Sequence, residues 1–561
     1  MTDTNQTSPR RVVIIGGVAG GASCAARLRR LDESAHITML ERGPYISFAN
    51  CGLPYHLSGV IEDRDSLLVQ TPEKFEARFH IDVRVLTEAL SIDPDARTVR
   101  IRDLSSDQTS ELPYDDLVLS PGARPFLPPI DGIDLPEVHA LRTIPDMDGI
   151  LDALNDEPRH VTVVGAGFIG LEVAENLHHR GIPTAVIEMG PQVMPGLDPE
   201  ISLTLTDACL RHGVDLRTST RVTAIRPGDH TGALHVDLDP GTSLPTDLVI
   251  MAVGVRPENE LARTAGLTLG PHGHILVDRS LRTSQPHIYA IGDAVEVPHR
   301  ITGVSGPMPL AGPANRQGRL VADNICGLDR SYRGPLGTSI IQVFDTVAAC
   351  TGISQKTATA QNIDHLSAWI YGHSHASYYP GSQSLALKAI FDPHTGRLLG
   401  AQGFGSDGVD KRLDVLATAI AAEMTVFQLE ELDLCYAPPF SSAKDPVNHL
   451  GAVAAGMITG THPAISPMEL SNTSDSPQIL DVRTPDEVAA GTLPDALAIP
   501  LDQLRDRLSE LDPDRPIVTV CKEGLRGYLA TRVLHQSGFT AHNLLGGYRL
   551  WSLLHRRPPL P

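Results

Sequence analysis

The sequence predicts an α/β protein with two parallel-sheet nucleotide folds in tandem and a smaller α/β domain at its C-terminal end. Three observations carry that expectation. A β-branched strand runs into a glycine-rich turn and a helix at residues 11–31, and the same arrangement returns at residues 160–180. A further strand, residues 517–520, ends in Cys521 and a short glycine-containing loop before another helix.

Length and composition set the outer limits. A chain of 561 residues is too long for one core; it implies three or four domains at ~150 residues each. Hydrophobic residues at 41% and charged residues at 20% are ordinary for a globular protein. Aromatics at 4% and a formal net charge of −21 argue against a nucleic-acid partner, because strand stacking needs rings and phosphates need basic footprints. Residues 1–10 form a short polar tail, and the apolar run 12–15 is too short for a secretory core. The longest apolar stretch, residues 450–458, is broken by Gly451 and Gly456, so no membrane span is expected. The seven cysteines contain no CxxC pair, so neither a disulfide framework nor a metal site is expected. A reducing, cytoplasmic setting fits that pattern.

In the first unit, Arg11–Ile15 has the β-branched character of a strand buried on both faces. It leads into Gly16-Gly17-Val18-Ala19-Gly20-Gly21, a helical pattern through Leu31, and a strand over residues 37–40 that ends in Glu41 and Arg42. Glycines let a backbone approach a pyrophosphate at a helix N-terminus, and the acid accepts from ribose hydroxyls. Val18 stands where the pattern has its middle glycine. The second unit has all three: a strand over 160–164, Gly165-Ala166-Gly167-Phe168-Ile169-Gly170, a helix that carries Glu172, and a strand over 184–187 ending in Glu188. A carboxylate at 188 repels a 2′-phosphate, and Met189 and Gly190 bring no cation, so NADH is expected over NADPH.

Two such units imply two Rossmann-like domains, one for FAD and one for NADH. Segments 116–123, with Ser120 and Gly122, and 247–254, ending in Gly254, each read as a strand and small-residue turn returning to a cofactor. The segment TSQPHIYAIGD, residues 283–293, places Asp293 just after a buried strand. Over about residues 11–451 the chain resembles the flavin-dependent pyridine nucleotide–disulfide reductases, and the resemblance implies that Asp293 binds the ribityl chain.

A single cysteine in a loop is commonly an inert packed thiol, which is the reading for Cys24, Cys209, Cys326, Cys350 and Cys435. Cys51 lies in SFANCGLPY, residues 47–55, and the next cysteine is Cys209. Reductases with an internal disulfide carry a second cysteine a few residues on, so here the sulfur partner comes from outside. The loop resembles that of the coenzyme A-disulfide reductases and the NADH-dependent persulfide reductases. The resemblance implies that Cys51 forms a mixed disulfide with coenzyme A or attacks a persulfide, its pKa lowered by the flavin and nearby donors.

Ser23, Arg27 and Arg30 share one helix face, plainly read as solvated; by the resemblance they line a coenzyme A channel, with Ser47 and Asn50 as further substrate contacts. Segments HASYYPG at 375–381, GVDKR at 408–412 and CYAPPFS at 435–441 match the family's third domain, an α+β dimerisation domain. There Tyr378 and Tyr436 would reach the other subunit's cysteine in an obligate homodimer, and Lys444 would hold a coenzyme A phosphate. Tyr379 reads equally as a core aromatic.

Residues 459–466 read as a linker. Beyond it, strands at 479–483 and 517–520 precede Cys521-Lys522-Glu523-Gly524-Leu525-Arg526-Gly527, with a helix expected from Tyr528. A cysteine between a strand end and a helix N-terminus meets converging N–H groups, and Arg526 and Lys522 would depress its pKa. Residues 465–551 resemble a single-domain rhodanese, with Gly491 in place of the usual histidine, which implies that Cys521 carries a persulfide sulfur. The expected division is 1–158 with 278–330 for FAD, 159–277 for NAD(P)H, 331–458 for dimerisation, a linker at 459–465, and 466–561 for the rhodanese domain.

The function read from these motifs is NADH-driven reduction of coenzyme A persulfide, coenzyme A disulfide or polysulfide at Cys51, coupled to sulfane-sulfur transfer at Cys521. One alternative is an NADH oxidase or peroxidase that cycles Cys51 through a sulfenic acid. Ala19 stands where such peroxidases carry a histidine, which argues against peroxide but not against oxygen. Another is a rhodanese domain that only docks a sulfur carrier.

Overall fold

The computed structural model describes residues 9–155, 158–228, 234–473 and 476–555; residues 1–8 of the expected polar tail and 556–561 of the expected C-terminal domain lie outside them. The chain divides into two compact units, residues 1–191 with 214–337, and residues 192–213 with 338–561.

The first unit contains two parallel sheets built on one plan. Arg11–Ile15 lies between His36–Leu40 and Asp116–Leu119, with Asp82–Arg84 and Ile288–Ala290 at the edges. Val161–Val164 lies between Thr184–Ile187 and Leu248–Met251, flanked by Asp215–Arg217 and Val138–Ala140. Covered on both faces, these inner strands must be apolar at nearly every position, which is why no alternation marks them in the sequence.

The turns repeat atom for atom. Gly16 and Gly165 have φ of +100° and +104°, and a Cβ on either would fall on the carbonyl oxygen of Ser120 or Ala252. Gly21 and Gly170 each sit against the carbonyl oxygen of the first glycine of their own turn, so the helices Ala19–Leu31 and Phe168–His179 pack down onto their strands. Helix Ala311–Ile325 crosses the first of these helices at Gly318, whose missing Cβ leaves room for the Gly20 carbonyl.

In the second unit, an antiparallel sheet runs in the order Ser339–Val343, Thr346–Gly352, Leu398–Gly405, Ser384–Phe391, Leu366–His373. Helices Val409–Ala421 and Pro446–Thr459 pack on it. A parallel sheet follows, ordered Ala464–Ile465, Ala541–Leu544, Ile517–Val520, Gln478–Asp481, Leu497–Ala498.

Three details differ from the sequence reading. The stretch read as a linker contains the edge strand Ala464–Ile465, and Ser466 caps the next helix in a reciprocal box with Glu469; a two-residue strand is too short to leave a periodic signal. The helix after Cys521 begins at Leu525 rather than Tyr528, because Gly524, with φ of +123°, already completes the turn. Residues 192–213 cluster with the second unit, where buried Asp198 accepts from the N–H groups of Gln355 and Lys356 at 3.1 and 3.0 Å, from Gln402 at 3.0 Å and from Lys388 at 2.8 Å. Lys388 also pairs with Glu200, so this buried ammonium has two carboxylate partners.

Gly318→Ala would press a methyl group into the Gly20 backbone at the base of the first turn. Overpacking of this kind costs ~1–3 kcal/mol. A lowered thermal midpoint and weaker flavin retention are expected, read by flavin fluorescence on heating.

Candidate active sites

Each glycine turn holds its carboxylate by backbone donors. Glu41 accepts from the N–H of Gly17 at 2.9 Å and of Gly43 at 2.8 Å; Glu188 accepts from Ala166 at 2.8 Å and Gly190 at 2.6 Å. Both acids therefore stand at the strand end beside the helix N-terminus, where a dinucleotide's ribose would lie. Gly167 has open space where a Cβ would be, and Val18 caps its helix at φ −97°, an ordinary backbone that a side chain tolerates. The backbone at Val18 therefore does not itself require a glycine. Arg42, exposed, is engaged with Glu258 at 3.5 Å.

Asp293 sits in the 3₁₀ turn Gly292–Ala294, with Arg142 at 3.8 Å. Burial raises its pKa and Arg142 opposes that. Ser120 closes onto the first turn through its N–H to the Ile15 carbonyl at 2.7 Å, and Gly122 and Gly254, at φ +71° and +107°, give the tight returns expected of their segments. Arg142 was not legible in the sequence, where nothing distinguishes it from a surface cation.

Cys51 is exposed in the 3₁₀ turn Asn50–Gly52, just ahead of the helix Leu53–Leu57, with the Asn50 side-chain oxygen 3.8 Å from its sulfur. Tyr55 on that helix donates to Glu172 at 3.4 Å. Burial pushes Glu172 up to about 7, with Glu175 adding and Tyr55 opposing. The balance of the protein's own groups runs opposite to the expected lowering of the Cys51 pKa: burial raises it, then Glu172 and Asp293, and Arg142 opposes. Among the protein's own groups the thiol has two acids against one cation, so depressing its pKa falls to whatever binds beside it.

The face of Ser23, Arg27 and Arg30 is not uniformly solvated. Ser23 donates to Asn315 at 2.6 Å and Arg27 to buried Asp323 at 2.7 Å, so these two knit the first helix to helix Ala311–Ile325. Only Arg30 is fully exposed. Ser47, half-buried, takes φ +46° as the chain turns toward Asn50 and Cys51.

In the second unit Tyr378 and Tyr436 are 74% and 49% exposed, and their hydroxyls lie 3.1 Å apart. Tyr379 is 43% exposed, so it is not a core aromatic, and Cys435 is exposed rather than packed. The two tyrosine segments are held by one buried guanidinium. Arg412 donates to the Ser374 carbonyl at 2.8 Å, to Asp445 at 2.9 Å, to Ser441 at 3.4 Å and to the Gly408 carbonyl at 3.1 Å. Burial works to raise the Asp445 pKa, but donors from Ser441, the Val447 N–H and Arg412 hold it lower. This gives the GVDKR motif its physical role, which the sequence alone did not disclose. Lys444, next to Asp445, is exposed.

At the C-terminal site Cys521 is 2% exposed, at the end of strand Ile517–Val520, and its sulfur accepts the Gly524 N–H at 3.0 Å. Arg526 is bound bidentately to Glu487 at 2.6 and 2.7 Å, so its charge is already countered. Glu487 belongs to a capping box with Thr484 on helix Pro485–Ala489. Asp481 and Arg483 form a buried pair, and Arg483 stacks 4.2 Å from the Tyr548 ring. Gly491, at φ +134°, lies against the Tyr548 hydroxyl, which a Cβ there would have to displace.

Two dinucleotide cradles, exposed Cys51 in the same unit and Cys521 at a strand–loop–helix turn define a two-electron thiol oxidoreductase with a sulfurtransferase-type domain. The family model for pyridine nucleotide-disulphide oxidoreductases matches residues 10–318, its dimerisation-domain model residues 338–446, and the rhodanese-like domain model residues 466–554. The chain belongs to the pyridine nucleotide-disulphide oxidoreductase family and carries a rhodanese-like domain. FAD and NADH, the cofactors expected from the sequence, are those of this class. The coenzyme A disulfide reductase of Staphylococcus haemolyticus is 33% identical over 444 residues, 79% of this chain and 98% of the relative. The structure of reduced CoADR-RHD from Bacillus anthracis is 45% identical with a TM-score of 0.95, covering 98% of this chain and 99% of that one. An NAD-dependent persulfide reductase from A. fulgidus is 38% identical with a TM-score of 0.90, covering 96% and 100%.

Two substitutions test the site. Glu172→Gln removes the negative charge that Glu172 carries above its pKa of about 7, so the Cys51 pKa falls and alkylation at pH 8 accelerates. About a threefold faster rate is expected for loss of one nearby, largely solvent-screened charge, measured with iodoacetamide on protein freed of flavin. Arg412→Met strands the Asp445 carboxylate, at ~3–5 kcal/mol for a broken buried pair. A lower thermal midpoint is expected, with disordering of both tyrosine segments read by hydrogen exchange.

Proposed function

We propose that this protein reduces coenzyme A persulfide or coenzyme A disulfide with NADH, and that Cys521 supplies sulfane sulfur to the same thiol carrier. The observation that carries the reading is exposed Cys51 in its SFANCGLPY loop, adjoining two dinucleotide cradles, with no second cysteine close by along the chain. FAD, bound between the first turn and Asp293, would supply two-electron transfer between nicotinamide and thiol. Glu188 orients the nicotinamide dinucleotide by its ribose and disfavours a 2′-phosphate, and exposed Met189 adds no cation, which supports NADH over NADPH.

With a persulfide, the Cys51 thiolate attacks the terminal sulfur. A Cys51 sulfur–sulfur bond forms, the carrier's bond breaks, and coenzyme A leaves as a thiolate that takes up a proton. Two electrons and a proton then cleave the Cys51 persulfide to thiolate and sulfide. One NADH and one proton are consumed for each persulfide, giving one thiol and one sulfide. With the disulfide, the same steps give two thiols. Tyr378 and Tyr436, exposed and sharing a hydrogen bond, are suited to protonate the leaving thiolate of a partner subunit, which supports a homodimer. Ser23, Arg30, Ser47, Asn50 and Lys444 are the groups proposed to meet coenzyme A; Arg27 contributes through the Asp323 pair.

Cys521 takes sulfane sulfur from a donor as a persulfide and passes it to the coenzyme A thiolate, with no net change of electrons. The seven free cysteines and the absence, among the described residues, of a helix long and apolar enough to cross a membrane accord with a cytoplasmic setting.

The test is anaerobic NADH oxidation by the holoenzyme, offered coenzyme A persulfide and coenzyme A disulfide in parallel, with sulfide quantified. Turnover of either, abolished by Cys51→Ser, is expected. Cys521→Ala should leave turnover of preformed persulfide intact and remove turnover that starts from polysulfide plus coenzyme A. No turnover of either compound, with rapid NADH loss once air is admitted, would replace this reading with an oxidase.

A further inference from the structure

Three acids around the Cys521 loop are each answered by a guanidinium. Asp481 is met by Arg483, Glu487 by Arg526, and Glu523, inside the loop, by Arg549 at 2.9 Å. Lys522, exposed, has no ion pair among the described residues and leaves the loop with one cation in excess. Arg549 differs from the other two in what else it holds. The same nitrogen donates to Ser384 of the antiparallel sheet at 2.9 Å, the guanidinium stacks 4.4 Å from the ring of Tyr371, and the Arg549 backbone N–H donates to the Lys522 carbonyl at 3.0 Å. Ser384 begins its strand directly after the Tyr378-bearing loop, whose base is closed by Ser374 and Gln383. One side chain therefore ties the sulfur loop to the sheet that carries the tyrosine segment.

We propose that Arg549 is a positioning residue for the Cys521 site: by neutralising Glu523 and anchoring it to Ser384 and Tyr371, it makes the cradle select anionic sulfane-sulfur donors, thiosulfate or persulfide anions. Glu523 is two residues from Cys521 and one from Gly524, whose N–H points at the sulfur. Unanswered, its carboxylate would stand at the lip of an anion cradle and repel the donor; turned onto Arg549, it leaves Lys522 and the Gly524 N–H to face it. The selectivity rests on the sulfur reading of Cys521 given above, but the charge arrangement does not.

The experiment compares alkylation of Cys521 by iodoacetate, an anion, with alkylation by iodoacetamide, its neutral analogue, in full-length holoenzyme, read on the Cys521 peptide by mass spectrometry. The ratio of the two rates cancels thiol ionisation and loop exposure. Arg549→Ala is expected to lower the ratio about fivefold, the size of one uncompensated charge about 4 Å away under full water screening. Arg549→Lys should hold it near the original value, and Arg549→Ala combined with Glu523→Gln should restore it. An unchanged ratio, or a fall that Glu523→Gln does not reverse, would overturn the proposal even if Arg549→Ala loosens the domain and speeds both reagents. Loading of Cys521 with labelled sulfur from thiosulfate is measured beside it. Failure of the unaltered protein to load would sink the sulfur reading, while the reagent ratio still judges Arg549.

Discussion

Backbone meets backbone at two points in each glycine turn of the first unit, and the two cradles depend on it. At Gly16 and Gly165 a neighbouring carbonyl occupies the space of a Cβ, and at Gly21 and Gly170 the helix closes on the turn in the same way. These approaches bring the helix N-terminus, the returning strand and the acid at the end of the adjoining strand to one place. Glu41 and Glu188 are then pinned by two N–H donors each. The turn and its acid are thus held by sterics and backbone hydrogen bonds rather than by mobile side chains.

The second unit is organised by buried cations. Lys388 holds Asp198 and Glu200, Arg412 holds Asp445 and two loop carbonyls, and Arg483 holds Asp481. Such pairs add little net stability compared with apolar packing, since desolvation offsets most of the attraction. Their effect is directional: each donor has one satisfactory arrangement, so the loops attached to it have one as well. Arg412 fixes the tyrosine segments in this manner, and Arg549 extends the arrangement to the rim of the sulfur loop at a partly exposed position, where its influence lies in the field rather than in stability.

The two cysteines differ in what surrounds them. Cys51 is exposed among acids, so its protein environment favours the thiol and the reactive form depends on what binds there. Cys521 is enclosed, with an N–H directed at its sulfur and paired charges around it. The fold thus gives its two thiols different surroundings, one open and beside acids, the other enclosed and met by a backbone N–H.

Much of this was legible in the sequence. The buried strands, the glycine turns with their acids, Cys51 without a neighbouring cysteine and the Cys521 loop are local patterns, because φ above zero, a missing Cβ and a run of β-branched residues leave their mark on adjacent positions. The pairings that join distant positions were not legible: Arg27 with Asp323, Arg142 with Asp293, Arg412 with the tyrosine segments, and Arg549 with Glu523 and Ser384. An arginine reads the same in a sequence whether it faces water or a buried carboxylate 33 positions away, as Arg412 does. The edge strand Ala464–Ile465 and the helix start at Leu525 were missed for a related reason, since a strand of two residues and the first turn of a helix take their conformation from partners elsewhere in the chain. The sequence by itself determined the class of fold, the two cradles and the two thiols. Only the tertiary structure decided the electrostatic setting of each thiol, because charges separated along the chain act on one another through space.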